Sequence, residues 1–143
     1  MKAVVLAILF TVLAPSAFAA ETQLAAVVER VVDGDTFDVR LTPWPGLTVD
    51  GRIRVPDIQA PETFRPDCEI ERVKGEAATD WLRDRIEGKK VVLLNVEPAT
   101  WAGRFTATVI DPTGADIAKA LIEAGHALPW DGTGATRPDF CGE

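Results

Sequence analysis

The stretch VVDGDTFDVR, Val31 to Arg40, sets two alternating apolar runs on either side of an Asp-Gly pair. Asp-Gly between such runs is a strong hairpin signal. Asp33 and Gly34 therefore read as the turn, Leu24 to Val32 as the strand before it, and Thr36 to Leu41 as the strand after it. Phe37, Val39 and Leu41 then share one face. Asp35 is the residue this pattern leaves over. An acid at the head of a strand, beside Thr36, is a poor strand former, so its presence calls for a reason beyond turn chemistry.

Outward from this hairpin, the two prolines of TPWPG, Thr42 to Gly46, predict a loop. Thr48 to Ile58 predicts a third strand, with Ile53 and Val55 facing one way and Arg52 and Arg54 the other. QAPETFRPD, Gln59 to Asp67, is a turn-rich loop. Glu71 to Glu87 is an amphipathic helix whose predicted buried stripe is Val73, Ala77, Trp81, Ala78, Leu82 and Ile86, with Gly88 past its end. Lys89 to Val96 and Arg104 to Ile110 are strands. Asp116 caps a short helix that turns Ile117, Ala118, Leu121 and Ile122 inward, and Gly125 stops it. The tail from Pro129 to Glu143 reads as irregular. Three strands, a helix, two strands and a helix predict a mainly β fold with helices: a five-stranded Greek-key barrel of the OB type with two helices. An open sheet with helices on one side is the alternative, and the close hairpin spacing favours closure.

The first 19 residues carry Lys2, a short apolar run from Ala3 to Leu13, and small residues at Ala17 and Ala19. This predicts a secretory signal peptide, residues 1–19, and a single domain over residues 20–143, exported to the periplasm or secreted. The formal net charge is −7, and −8 without Lys2. Such a chain repels nucleic acid at long range, so any polyanion must meet a local basic site or a bound cation. The two cysteines, Cys68 and Cys141, read as one disulfide in an exported chain. His126 is the single histidine, which excludes paired-imidazole catalysis within one chain. No Gly-rich phosphate loop and no Ser-His-Asp pattern is present.

Asp35, Arg54, Asp57, Glu62 and Arg104 cluster at strand ends and in one loop. An arginine inside a closed barrel needs an anionic partner. Two guanidiniums with carboxylates suit a phosphodiester. Arginines bind phosphate oxygens bidentately and stabilise the added charge of a five-coordinate transition state. A glutamate can take the proton from an attacking water, and neighbouring acids can hold a divalent cation.

Four segments, VVDGDTFDV, RIRVPDIQAPET, AGRFTATVID and GADIAKALIEAGHALPW, give the chain a resemblance to the thermonuclease family, whose type member is staphylococcal nuclease. The match runs in order from about Val27 to Trp130. The resemblance implies an OB barrel that hydrolyses phosphodiester bonds in DNA or RNA, commonly with calcium. It implies catalytic roles for Arg54, for Glu62 as general base, and for Arg104, with Asp35 as a Ca²⁺ ligand. The implied partners are nucleic acid as substrate and one divalent cation, with no membrane contact in the mature form and a monomeric chain.

The chain departs from the family at four places. Gln59 stands where a second, charged calcium ligand is usual, which implies weak, about millimolar, binding. Asp57 stands where glycine is usual. In an extended chain residues 57 and 59 share a face, so Asp57 is an auxiliary ligand candidate. Ala102, with Trp101 before it, replaces the usual aromatic ahead of Gly-Arg, and Trp130 lies near a usual tyrosine. A non-enzymatic OB module binding an oligonucleotide, another anionic ligand or a protein is the rival reading. Glu62 between two arginines favours the enzyme, whereas Gln59, Ala102 and the acidic surface favour the module.

Overall fold

The computed structural model describes residues 23–100 and 103–142. The reading of residues 1–19 as a leader, and that of Trp101 and Ala102, lie outside them. Strands β1 (Gln23–Asp33), β2 (Thr36–Trp44), β3 (Leu47–Arg54), β5 (Lys90–Pro98) and β6 (Arg104–Ile110) close a barrel in the order β1-β2-β3-β6-β5. The β3–β6 pairing is parallel and the other four are antiparallel. With helices α1 (Glu69–Ile86) and α2 (Ile117–Glu123), this is the predicted five-stranded OB barrel. Two short strands, β4 (Ile58–Gln59) and β7 (Leu128–Pro129), pair beside it.

Alternation sets the barrel interior. Val28, Phe37, Val39, Ile53, Val55, Leu93 and Val109 are buried there, and Leu82, Ile86, Ile117 and Leu121 of the helices cover it. Ile53 and Val55 point inward, so Arg52 and Arg54 lie on the outer face.

Three local readings change. First, the tight turn is Gly34–Asp35, one residue later than the Asp-Gly pair suggests, between the paired Asp33 and Thr36. Gly34 has no left-handed backbone. It is required for space, because a Cβ there would lie 2.8 Å from the Cβ atoms of Ala60 and Ala78. Second, TPWPG is no open loop. β2 runs on to Trp44 and turns through Pro45 and Gly46, whose φ of 84° suits the third place of a Pro-Gly turn. The ladder shifts register between Leu41 and Trp44, where Pro43 has no N–H to give. Third, the long third strand breaks after Arg54. Pro56 and Asp57 form a turn, with Asp57 at φ 62°, and β4 begins afresh at Ile58.

Helix α1 starts at Cys68, whose Sγ accepts from Glu71 N–H at 3.3 Å. Its buried positions are Glu71, Gly75, Ala78, Thr79, Leu82 and Ile86. Their spacing is helical, but the stripe is rotated from the apolar one: Val73 is 52% exposed and Ala77 also faces solvent. The cause is the Gln59–Asp67 loop, which lies against the helix at Gly75. A Cβ there would meet the Pro61 carbonyl oxygen at 2.7 Å and Thr63 Cγ2 at 2.9 Å.

Glu71 fastens that loop. Its buried carboxylate accepts from the N–H groups of Glu62 at 3.2 Å and Asp67 at 2.7 Å, and from Arg137 Nη2 at 3.2 Å. The tail is tied to the same helix by the Cys68–Cys141 disulfide, Cα atoms 6.0 Å apart, and by Lys74 Nζ donating to the Phe140 carbonyl at 3.1 Å. A bridge across 73 residues stabilises the fold by about 4 kcal/mol on the chain-entropy estimate. Replacing Glu71 with Gln keeps the shape but points an amide N–H₂ at a backbone donor and leaves Arg137 only its longer pairing with Asp67, at 3.5 Å. We expect a loss of about 2–3 kcal/mol, read as a lowered urea midpoint at unchanged slope. A change within about 0.5 kcal/mol, the range of neutral surface substitutions, would show that the carboxylate does not hold the loop.

Candidate functional site

The site forms where the β1–β2 turn, the end of β3, the loop after β4 and the tail meet. Arg54, the last residue of β3, pairs in register with Thr36 and Thr106. Its side chain is 24% exposed. Nη1 donates to the carbonyls of Val55 at 3.1 Å and Ile58 at 3.3 Å. Nη2 donates to Ile58 O at 3.3 Å, to Gln59 Oε1 at 2.9 Å and to Asp35 Oδ2 at 3.4 Å. The guanidinium lies over the Trp130 ring, 5.3 Å from its centroid, a cation–π distance. Nη1 and Nη2 thus both have protein acceptors, while Nε–H has none among the described residues.

Asp35 answers the question its position raised. It is buried, and Oδ2 also accepts from Ala60 N–H at 3.0 Å, while Oδ1 accepts from Thr36 Oγ1 at 2.9 Å. Its backbone carbonyl takes Val55 N–H at 2.9 Å. The second acid of the turn therefore ties the hairpin to both ends of the β3–β4 connection. Asp33 stands behind it and accepts Asp35 N–H at 3.1 Å. Burial, and next the charge of Asp35, push the Asp33 carboxyl up to about 6. A raised folded pKa contributes stability that is fully present below the unfolded value, about 4, and is lost as pH rises through about 6.

Gln59 is the link between the basic and acidic candidates. While Oε1 accepts from Arg54, Nε2 donates to the Ala60 carbonyl at 2.8 Å and to Glu62 Oε1 at 3.4 Å. Arg54, Gln59, Asp35 and Glu62 are thus one connected group, with Glu62 half-buried at its open side. Asp57 is not part of it. Its left-handed backbone ends the alternation that would put residues 57 and 59 on one face, and its side chain is exposed while Gln59 is buried. The usual glycine at this place has the same physical reason, since φ 62° costs a side-chain-bearing residue energy.

Arg104 lies on the outer face of the barrel, as Arg54 does, but two residues along. The parallel register sets it beside Arg52, while Thr106 stands beside Arg54, a step of about 7 Å along the strand. There it lines an open hollow of about 390 Å³ with Glu29, Asp38, Asp50 and Arg52. Asp38 is engaged by Arg52 at 2.7 Å and Arg30 at 2.8 Å, and Arg104 is exposed. The structure brings Arg54, Asp35, Gln59 and Glu62 into hydrogen-bond contact and leaves Arg104 outside that group, two residues along the barrel face.

Sequence reasoning missed Glu71 and Phe64, and it marked Trp130 only as standing near a usual tyrosine, without its contact to Arg54. Glu71 reads as a first-turn helix acid, and no local signal marks it as buried. Trp130 is placed under Arg54 by β7, where Trp130 N–H donates to the Asp57 carbonyl at 3.0 Å. Phe64, two residues after Glu62, is 84% exposed with the Arg65 guanidinium 5.4 Å from its ring centroid. An aromatic inside a Pro-rich polar loop was the available signal for it.

The calcium implied by the resemblance was expected on Asp35 and Gln59. As arranged, the donors do not fit it. Among the described residues no three His, Cys, Asp or Glu side chains gather as a metal-holding group. The Gln59 oxygen is held by Arg54, and its N–H₂ faces the oxygens of Ala60 and Glu62.

The sequence profile of the staphylococcal nuclease homologues matches residues 52–136, which takes in Arg54, Gln59, Glu62, Arg104 and Trp130. The chain is 31% identical over 119 residues, 79% of its length, to Endonuclease YhcR of Bacillus subtilis (strain 168), of which it spans 9%. The profile covers more than half of the chain, with Arg54, Gln59 and Glu62 in hydrogen-bond contact within it: this protein belongs to the staphylococcal nuclease family.

Proposed function

We propose that the protein is an exported nuclease that hydrolyses phosphodiester bonds in DNA or RNA. The observation that carries this is the Arg54–Gln59–Glu62 chain, which holds a guanidinium and a carboxylate at one open site. The related Bacillus endonuclease supports the same chemistry. The Cys68–Cys141 bridge supports an oxidising compartment, periplasmic or extracellular, as does the leader read from residues 1–19.

In this reading Glu62 takes a proton from water as the water oxygen bonds to phosphorus. The five-coordinate phosphorane carries one more negative charge than the diester. The Nε–H of Arg54 and the guanidinium of Arg104 stabilise that charge. The P–O bond to the leaving oxygen then breaks, that oxygen takes a proton from solvent water, and Glu62 returns its proton to solvent. No step passes through calcium, because the donor set does not fit it. The net charge of −7 gives little long-range attraction, so local contacts must hold the strand. Phe64, exposed beside Glu62 with Arg65 over it, offers a nucleobase a stacking face.

Three variants test the roles. Glu62→Gln is expected to lower kcat by about 10²–10⁴ with little change in KM, as for a lost general base. Arg104→Ala is expected to lower kcat/KM by about 10²–10³, the effect of one lost oriented donor. Both are measured on a labelled oligonucleotide. Unchanged turnover in both would leave the oligonucleotide-binding OB module as the function. Phe64→Ala is expected to raise KM for single-stranded DNA about tenfold. It should leave hydrolysis of bis(p-nitrophenyl) phosphate, which has no nucleobase, as it was. Equal loss on both substrates would place Phe64 in the fold of the loop and not in substrate contact.

A further inference from the structure

The buried amide of Gln59 has only one orientation that its neighbours allow. Arg54 is donor-only, so the group facing Nη2 must be the amide oxygen, as found at 2.9 Å. The other end faces two acceptors, the Ala60 carbonyl at 2.8 Å and Glu62 Oε1 at 3.4 Å, so it must be the N–H₂. A turned-over amide would set donor against donor at Arg54 and oxygen against the oxygens of Ala60 and Glu62. Gln59 is 5% exposed, so water cannot repair either mismatch.

A carboxylate in this place would behave differently. It has two oxygens, one to accept from Arg54 and one left over to face Ala60 O, Glu62 and the neighbouring Asp35. Oxygens gathered on one spot with no proton between them favour a bound cation. Glutamine supplies the positive partner itself. Its two N–H groups stand where such a cation would draw the Ala60 carbonyl and the Glu62 carboxylate together, and the group carries one negative charge fewer.

We propose that Gln59 replaces the divalent cation: its amide holds Glu62 to Arg54, and the site works without calcium. This deepens the nuclease reading of the same site and rests on it only for its activity readout. The amide N–H₂ orients Glu62 from one side while the Glu71 carboxylate fixes its backbone N–H at 3.2 Å from the other. The charge developing on phosphate is met by the arginines alone.

The test compares the native protein and Gln59→Asp, each in calcium and in EGTA. The native protein is expected to cleave a single-stranded oligonucleotide at rates within about threefold in the two conditions, and to give no saturable calcium heat below about 1 mM by calorimetry. Gln59→Asp is expected to lose about tenfold or more in EGTA, to regain it with calcium, and to show a calcium-dependent rise in Tm. The proposal falls if the native protein loses more than about threefold in EGTA and recovers with calcium, or if it shows saturable calcium binding below about 1 mM. If the native protein cleaves nothing in either condition, the nuclease reading fails and the calcium titration still decides. Saturable binding by the native chain overturns the assignment of Gln59, while binding gained only in Gln59→Asp upholds it.

Discussion

A guanidinium three-quarters removed from water must find partners on every side, and Arg54 finds them in three separate segments. The turn after β1 gives Asp35, the stretch from the end of β3 through β4 gives the Val55 and Ile58 carbonyls and the Gln59 amide, and the tail gives the Trp130 face. Leaving such a charge unpaired costs several kcal/mol, so these segments are held to one arrangement. Fixing the charge in this way also leaves the Nε–H without a protein acceptor among the described residues. Preorganised charge of that kind needs no rearrangement when a transition state forms.

The second requirement is a rigid seat for Glu62, which sits on a loop and not on a strand. Loops carry reactive groups well only when the scaffold holds their backbone. Here the hold is given by Glu71, which gathers two loop N–H groups and the tail arginine on one buried carboxylate. Gly75 and Gly34 let the loop, the helix and the hairpin turn touch at backbone distance. The disulfide then anchors the tail to the start of α1. Tail, helix and loop thus act as one body, and the position of Glu62 depends on residues up to 79 places later in the chain, at Cys141.

Charge is arranged locally and not by surplus. The chain is acidic, with 22 carboxylates against 15 basic side chains. Yet on the outer barrel face the carboxylate of Asp38 is already bound by Arg52 and Arg30. Arg104 beside them, and Arg54 a step away, are left to face the open side. Glu29 and Asp50, which line the same hollow, are held by Arg40, so the charges on this face are largely paired although the whole molecule is acidic.

Much of the protein was determined by its sequence alone. Alternation in Phe37, Val39, Ile53 and Val55 fixed the barrel interior, because strand side chains point to opposite faces with period two. Asp116 and Gly125 bounded α2, since caps act within one turn. The spacing from Arg54 to Glu62 marked the site, because that stretch is contiguous in the chain. What only the tertiary structure decided involves partners far apart in sequence. The α1 stripe turned toward Glu71 and Gly75 because a loop lies against the first half of the helix, while the barrel meets only the second half. Asp57 left the strand because Pro56 and the β4–β7 pairing impose a left-handed residue there. The orientation of Gln59 was set by Arg54 on one side and Glu62 on the other, since an amide, unlike a carboxylate, has one end that accepts and one that donates.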